Sequence, residues 1–198
     1  MPSLPHRIID QASRSPEGAL LCPGALLHLG SRAAVDQALS RLARKGKLMR
    51  VYQGIYVQPI QTRFGPRPPA VDRVIASLSG LWGETIVPSG GAAANAIGLT
   101  TQVPVESVYL TSGRDRRLRL GELTVELRHA PRWQLVAPHR PAGEAVRALS
   151  WLGPNEVKPG LQVVGRRLSP EDFQELSSTR AVMPAWMAEA VSAMMVND

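Results

Sequence analysis

The sequence contains a single cysteine, Cys22, which excludes an intrachain disulfide and a cysteine-rich metal site. Its histidines are scattered without the spacing of a metal-binding motif, at His6, His28, His129 and His139. No apolar run is long enough to span a membrane, and the first ten residues lack the apolar segment of a signal peptide. We therefore expect a cytoplasmic protein that binds neither a metal nor a membrane.

The sequence also lacks a recognisable pair of nucleophile and base, and a lone cysteine without a partner histidine is a poor candidate nucleophile. Residues 88–98 (PSGGAAANAIG) have the strand, glycine-rich turn and helix order that can cradle phosphate. They have no lysine after the glycines, and they match neither the P-loop nor the G-x-G-x-x-G spacing. We therefore predict no enzyme and no cofactor, and interpret the segment as a small-residue helix that is capped by Ser89, ended by Gly98 and packed against a sheet. A nucleotide-binding enzyme that uses this segment is the alternative.

Positive charge is concentrated in the first third of the chain. The whole sequence of 198 residues has a formal net charge of +7. Residues 1–63 hold nine lysines and arginines against three acidic residues, whereas residues 64–198 hold 14 against 13. A merely basic protein would spread its excess charge, so this distribution favours a polyanionic partner for the N-terminal segment.

Residues 31–45 have the pattern of an amphipathic helix. Ser31 is a good N-cap, and Lys45 followed by Gly46 is a typical helix end. Apolar side chains fall at the spacing of one helix face, at Val35, Ala38, Leu39 and Leu42. The opposite face carries small, polar and basic side chains: Ala33, Asp36, Gln37, Ser40, Arg41 and Arg44.

The segments around this helix complete a recognisable order. Helices are predicted at 4–14 and 23–29, and two β-prone runs follow at 48–52 and 55–57, separated by the turn Gln53–Gly54. A basic helix followed at once by a tight hairpin is typical of a recognition helix and wing. The alternative is a solvated helix face with no partner. We predict a winged helix-turn-helix domain over residues 1–59.

The rest of the chain predicts a linker and a second domain, so the fold class is α+β with a small α/β C-terminal domain. Residues 60–70 contain four prolines and glycines and are interpreted as a Pro-rich linker. Within residues 71–198 we predict helices at 71–81, 144–152, 170–176 and 184–196, strands at 85–87 and 105–110, and a hairpin over 116–128 that turns at Gly121.

Two side-chain groups of the second domain have alternative interpretations. Four arginines lie near acidic residues in and beside the predicted hairpin: Arg114, Arg116, Arg117 and Arg119. We interpret them as an exposed arm and not as a second nucleic-acid surface, and a contact with DNA or a partner is the alternative. The last helix is rich in tryptophan and methionine, which indicates a core position or a protein contact: Trp186, Met187, Met194 and Met195.

The partner predicted for the N-terminal domain is double-stranded DNA. The predicted DNA-binding residues are Ser31, Arg32, Ala33, Gln37, Ser40, Arg41, Arg44, Lys45, Lys47, Arg50, Tyr52, Gln53 and Tyr56. Helix 31–45 is expected to read the major groove, where glutamine pairs with adenine and arginine with guanine. Residues 48–57, together with the lysines before them, are expected to hold phosphates, with Tyr52 or Tyr56 among the contacts.

Four stretches carry a family resemblance: LGSRAAVDQALSRLARKGKLMRVYQGIYVQP, PSGGAAANAIGLTTQVP, SVYLTSGRDRRLRLG and PAWM. Over roughly the whole chain, the sequence resembles the AbiEi-like antitoxins of type IV toxin–antitoxin systems, and most closely the short bacterial family DUF6088. The resemblance implies an N-terminal winged helix that represses its own operon at inverted repeats, as two copies on DNA. It also implies a C-terminal domain that antagonises a nucleotidyltransferase-like toxin, although the longer antitoxins have a larger C-terminal region. A kinase-like modifier of such a toxin, using residues 88–98, is the enzymatic alternative.

Overall fold

In the computed structural model, which describes residues 2–101 and 107–196, contacts divide the chain into two compact units. Unit 1 consists of Met1–Glu84 and Arg117–Val125, and unit 2 consists of Thr85–Arg116 and Glu126–Asp198. Both helices and strands are present, in agreement with the α+β class. The first division falls after Glu84 and not within 60–70, so the predicted boundary differs from the observed one.

The helices of unit 1 enclose its apolar core. They are α1 (Leu4–Ser13), a 3-10 helix (Pro23–Leu26), α2 (Arg32–Arg44) and α3 (Val71–Trp82). Ile8, Leu26 and Leu39 are fully buried in the cluster formed by the first three helices. The helix predicted over 23–29 is shorter than expected. Leu29 bonds through its amide to the Leu26 carbonyl, which is a tight turn and not an α-helical continuation.

The predicted limits of α2 are confirmed, together with its two faces. The Ser31 hydroxyl accepts a hydrogen bond from the Ala34 amide at 3.4 Å, and Gly46 follows the helix with φ +67°. The four residues assigned to the inner face are all buried: Val35, Ala38, Leu39 and Leu42. Arg7 of α1 donates to the Leu29 carbonyl at 3.1 Å, which ties α1 to the turn before α2.

The predicted hairpin after α2 is also confirmed. Strands β1 (Met49–Tyr52) and β2 (Ile55–Val57) pair antiparallel, and Gly54 takes a positive φ of 69° in the turn between them. Leu21 bonds to Tyr56 through both backbone groups, at 2.8 and 3.0 Å. Leu21, which lies just before the 3-10 helix, therefore pairs with β2 in the manner of a short third strand.

Most of residues 60–70, the segment interpreted as a Pro-rich linker, form a second hairpin. Strands β3 (Ile60–Thr62) and β4 (Gly65–Arg67) pair antiparallel. The Thr62 hydroxyl donates to the Gly65 carbonyl at 2.7 Å and accepts from the Phe64 amide at 3.2 Å, which fixes the turn. Proline is compatible with this hairpin because each strand of a two-stranded sheet has an outer edge that needs no donor. The Phe64 side chain is 85 % exposed.

The remaining strands form a four-stranded sheet with the order β5-β6-β8-β7. They are β5 (Ile86–Pro88), β6 (Ser107–Thr111), β7 (Arg116–Leu120) and β8 (Leu123–His129). Gly121 turns between β7 and β8 with φ +65°, as predicted. Leu123 lies next to the turn and is 38 % exposed, whereas the other alternating apolar residues of the hairpin are buried: Leu118, Leu120, Val125 and Leu127. Residues 105–106 of the predicted strand lie outside the described residues.

Within the described part of unit 2, α-helices pack around an apolar core, and short 3-10 helices lie at Arg132–Leu135 and Thr179–Val182. The α-helices are α4 (Gly90–Ala96), α5 (Pro141–Leu152), α6 (Val157–Arg167), α7 (Pro170–Ser178) and α8 (Ala185–Val196). Met187 of α8 is fully buried in this core, and Met195 remains 44 % exposed. Helix α6 was not predicted from the sequence. No helix in the described ranges is long and apolar enough to cross a membrane.

Candidate nucleic-acid interface

The outer face of α2 presents the residues that the sequence assigned to base contacts. All of the predicted DNA-binding residues on this helix are exposed: Arg32, Ala33, Gln37, Ser40, Arg41 and Arg44, with Ser31 exposed at the N-cap. They share one side because the opposite side is committed to the core. The helix is thereby held rigidly with its polar face open to solvent.

Two side-chain pairs organise this face. The Arg41 guanidinium donates to the Gln37 side-chain oxygen at 3.0 Å, one helical turn away. The Arg32 Nε atom bonds to the Asp36 carboxylate at 3.0 Å. An amide oxygen has two lone pairs, so Gln37 retains acceptor capacity and both amide hydrogens for another partner. Arg41 therefore orients Gln37 without consuming its hydrogen-bonding groups.

The segment after α2 adds further cations. Lys45, Lys47, Arg50 and Gln53 are exposed, as phosphate contacts require. Tyr52 is half-buried, and its ring meets the Trp82 ring edge-on with centroids 5.9 Å apart. This contact fixes the position of the Tyr52 side chain at the end of β1.

Tyr56 does not belong to this exposed surface. It is only 6 % exposed and packs in the core cluster of unit 1. The strand-like run at Leu21 covers the backbone of β2 at this position. Tyr56 nevertheless lines the groove beside the C-terminal half of α2, together with Arg44 and Arg50. Of the two tyrosines proposed as phosphate contacts, Tyr52 is the more exposed, and Tyr56 is corrected from an open surface position to a largely buried one.

Sequence reasoning assigned Arg119 to a separate arm, but the structure brings it beside α2. Arg119 lines the same groove as Arg44 and Arg50. The three residues belong to unit 1 although more than 60 positions separate Arg119 from the other two. The only sequence signal was the alternation of charged and apolar residues along 116–120, which indicates exposure but no partner.

The family comparison provides independent information about the chain. A family of unknown function, DUF6088, matches residues 7–164. The chain belongs to the DUF6088 family. No curated protein matches the sequence, and no solved structure matches the fold. The resemblance to DUF6088 is thus confirmed, and the AbiEi-like antitoxin identity remains a proposal.

In this DUF6088 member, the glycine-rich segment lies at a contact between two helices. A Cβ atom at Gly90 would lie 2.6 Å from the Arg147 carbonyl oxygen and 2.8 Å from the Trp151 Cβ atom. Ser89 precedes α4 as expected, but its side chain makes no cap hydrogen bond. Helix α4 therefore packs closely against helix α5, and its glycines serve this close approach. Such a contact does not favour a phosphate at residues 88–98.

Chemistry of another kind would require polar groups outside the α2 face. Within the described residues, no three histidine, cysteine or acidic side chains are grouped as metal ligands. Arg147 of α5 is 1 % exposed, and its guanidinium nitrogens have no hydrogen-bond partner among residues 2–101 and 107–196. Burial lowers the pKa of Arg147, and nearby Glu144 acts in the opposite direction.

Cys22 provides a test of whether the chain contains an activated thiol. Burial raises the pKa of Cys22 above its usual value because the thiolate is desolvated. We expect iodoacetamide to alkylate the native protein more slowly at neutral pH than the urea-unfolded protein, and the rate to rise at higher pH than in the unfolded chain. Mass spectrometry of time points between about pH 7 and pH 10 measures this. Equal alkylation rates of the native and unfolded protein at neutral pH would contradict a desolvated, unreactive Cys22 thiol.

Proposed function

We propose that this chain is a sequence-specific DNA-binding protein whose unit 1 contains a winged helix-turn-helix, with α2 as the recognition helix and β1–β2 as the wing. The observation that carries the proposal is the solvent-facing side of α2, where Gln37 and Arg41 are hydrogen-bonded to each other and exposed. The order of helix, tight turn, helix and hairpin supports it, as does the third strand-like segment at Leu21.

The chemistry of this face fits base recognition in the major groove. A glutamine amide can pair with the N6 and N7 atoms of adenine, and an arginine fork can pair with the O6 and N7 atoms of guanine. Gln37 and Arg41 are one turn apart, so neighbouring bases are within their reach. The exposed lysines and Arg50 supply the phosphate contacts that fix the helix in register.

The biological role that we propose is autorepression combined with an antitoxin activity. The family resemblance implies binding to inverted repeats in the promoter of its own operon, with two copies of the chain on the DNA. Two recognition helices on one face of the duplex require half-sites about one helical turn apart, roughly 34–36 Å. The resemblance also implies a nucleotidyltransferase-like toxin as the target of the C-terminal region.

DNA binding is tested by selecting preferred duplexes from a random pool and measuring their affinity at several salt concentrations. We expect an enriched inverted repeat and, for about four neutralised phosphates, a roughly hundredfold loss of affinity between 50 and 200 mM salt. A reporter driven by the region upstream of the gene tests repression, and co-expression with the neighbouring reading frame tests the antitoxin role. A pool that shows no enrichment after selection would contradict sequence-specific binding.

A further inference from the structure

A groove beside the C-terminal half of α2 brings together residues that are far apart in the sequence. It has a volume of about 590 Å³, and we refer to it as the arginine groove. Its walls come from α2 and the loop after it, from strands β1, β2, β4 and β7, and from the turn between β7 and β8. All of these segments belong to unit 1, so the groove is a feature of that unit alone.

Three arginines from three different elements line this groove. Arg44 is in the last turn of α2, Arg50 is on β1 and Arg119 is on β7. Each is exposed, and no aspartate or glutamate is among the lining residues. Within residues 2–101 and 107–196, none of the three forms an ion pair. Three cations around one groove repel one another, so a bound anion would lower the free energy of the arrangement.

The position of Arg119 follows from the local structure of its hairpin. Leu118 and Leu120 are buried, so the alternation of the strand turns Arg119 outward. A Cβ atom at Gly121 would lie 3.2 Å from the Cγ atom of Pro68, which shows that the turn packs closely against the segment after β4. The hairpin is therefore fixed at the groove by packing, and Arg119 is not a side chain on a free arm.

We infer that the arginine groove binds the sugar–phosphate backbone of the duplex whose bases α2 reads, with Arg119 as a phosphate-contacting residue. This inference rests on the proposed function. Phosphates flank both sides of the major groove that a recognition helix enters, so a cationic groove beside the last turn of α2 is placed to contact the backbone. The C-terminus of a helix carries roughly half a negative charge, which repels a phosphate. The three positive charges of the arginines are larger than this partial charge, so the net interaction with a phosphate is attractive. The planar guanidinium fork also suits two oxygens of one phosphate.

The experiment compares the full chain with its R119A variant on a preferred duplex and on a scrambled duplex of equal length. Fluorescence anisotropy gives the dissociation constants over a series of salt concentrations. We expect R119A to lose affinity by a similar factor on both duplexes, and the slope of log affinity against log salt to become shallower by about one. R119K, which keeps the charge but not the fork, is expected to retain the slope and recover part of the affinity.

R166A is the matched control, because Arg166 is an exposed arginine in the last turn of α6 and lies outside the groove. It removes the same charge, so a similar change in R166A and R119A would overturn the inference. An unchanged slope in R119A, with sequence preference still lost in R41A, would also overturn it and leave the proposed function standing. A wild-type chain that binds neither duplex would overturn both. Thermal melting of each variant, monitored by circular dichroism, verifies that a change in binding does not come from unfolding.

Discussion

Replacing Arg41 by alanine is expected to weaken binding to the preferred duplex by about 1–3 kcal/mol, or roughly fivefold to 150-fold. The variant loses a direct base contact and also the hydrogen bond that orients Gln37. Preference at the base read by Arg41 should therefore flatten, whereas affinity for a scrambled duplex should change little. Anisotropy titrations against the selected duplex and its single-base variants measure both effects.

The hydrogen bond between Gln37 and Arg41 gives this prediction a second, sharper form. If Arg41 positions Gln37, the losses caused by Q37A and R41A should not add in the double variant, because each single change already disturbs the other residue. R166A serves as the control for removing an arginine from the last turn of a helix. Full sequence preference in R41A would remove this residue from the reading surface, and strictly additive losses would remove the proposed coupling.

Replacing Gly90 by alanine is expected to destabilise unit 2 by about 1–3 kcal/mol, because the added methyl group meets α5. The nearest atom is the Arg147 carbonyl oxygen, at 2.6 Å from the ideal Cβ position, and backbone cannot move aside as a flexible side chain can. Urea unfolding followed by circular dichroism and tryptophan fluorescence measures the change, with Trp151 of α5 next to the substitution.

The same substitution at Gly80 is the matched control and should have the opposite sign. Gly80 lies within α3, and a Cβ atom there meets nothing within 4 Å. Alanine in an open helical position is favoured over glycine by about 0.5–1 kcal/mol. If G90A were as stable as G80A, close packing would not explain the glycines of α4, and a ligand at residues 88–98 would again need consideration. Binding of labelled ATP that is lost in G91D would support that alternative.

Elements with short-range signals were predictable from the sequence. The cap at Ser31, the helical spacing of four buried residues and the glycine after Lys45 define α2 within residues that are neighbours in the chain. Gly54 and Gly121 mark two hairpin turns for a similar local reason. The reading face of α2 follows directly, because fixing the buried side of a helix also fixes its exposed side.

The features that the sequence did not predict depend on distant residues or on exceptions to propensity. Helix α6 contains Pro159 and Gly160, which lower its helical propensity, and burial of Val157 and Leu161 stabilises it instead. The hairpin over residues 60–67 forms despite its prolines because a two-stranded sheet tolerates them at its edges. The place of Arg119 in the arginine groove depends on packing of the Gly121 turn against Pro68, which is distant in the sequence, and no local pattern encodes that contact.

The two-segment composition of unit 1 has a consequence for how the protein emerges from the ribosome. Residues 117–125 complete this unit, and residue 125 follows residue 84 by 41 positions. At typical rates of synthesis, the ribosome needs about 2–8 seconds to add the residues between these two positions. Throughout that interval, Pro68 lacks the turn that later packs on it. A chain that ends at a premature stop codon within this interval would therefore contain α2 without a complete arginine groove. We expect it to bind DNA with lower affinity than the full chain.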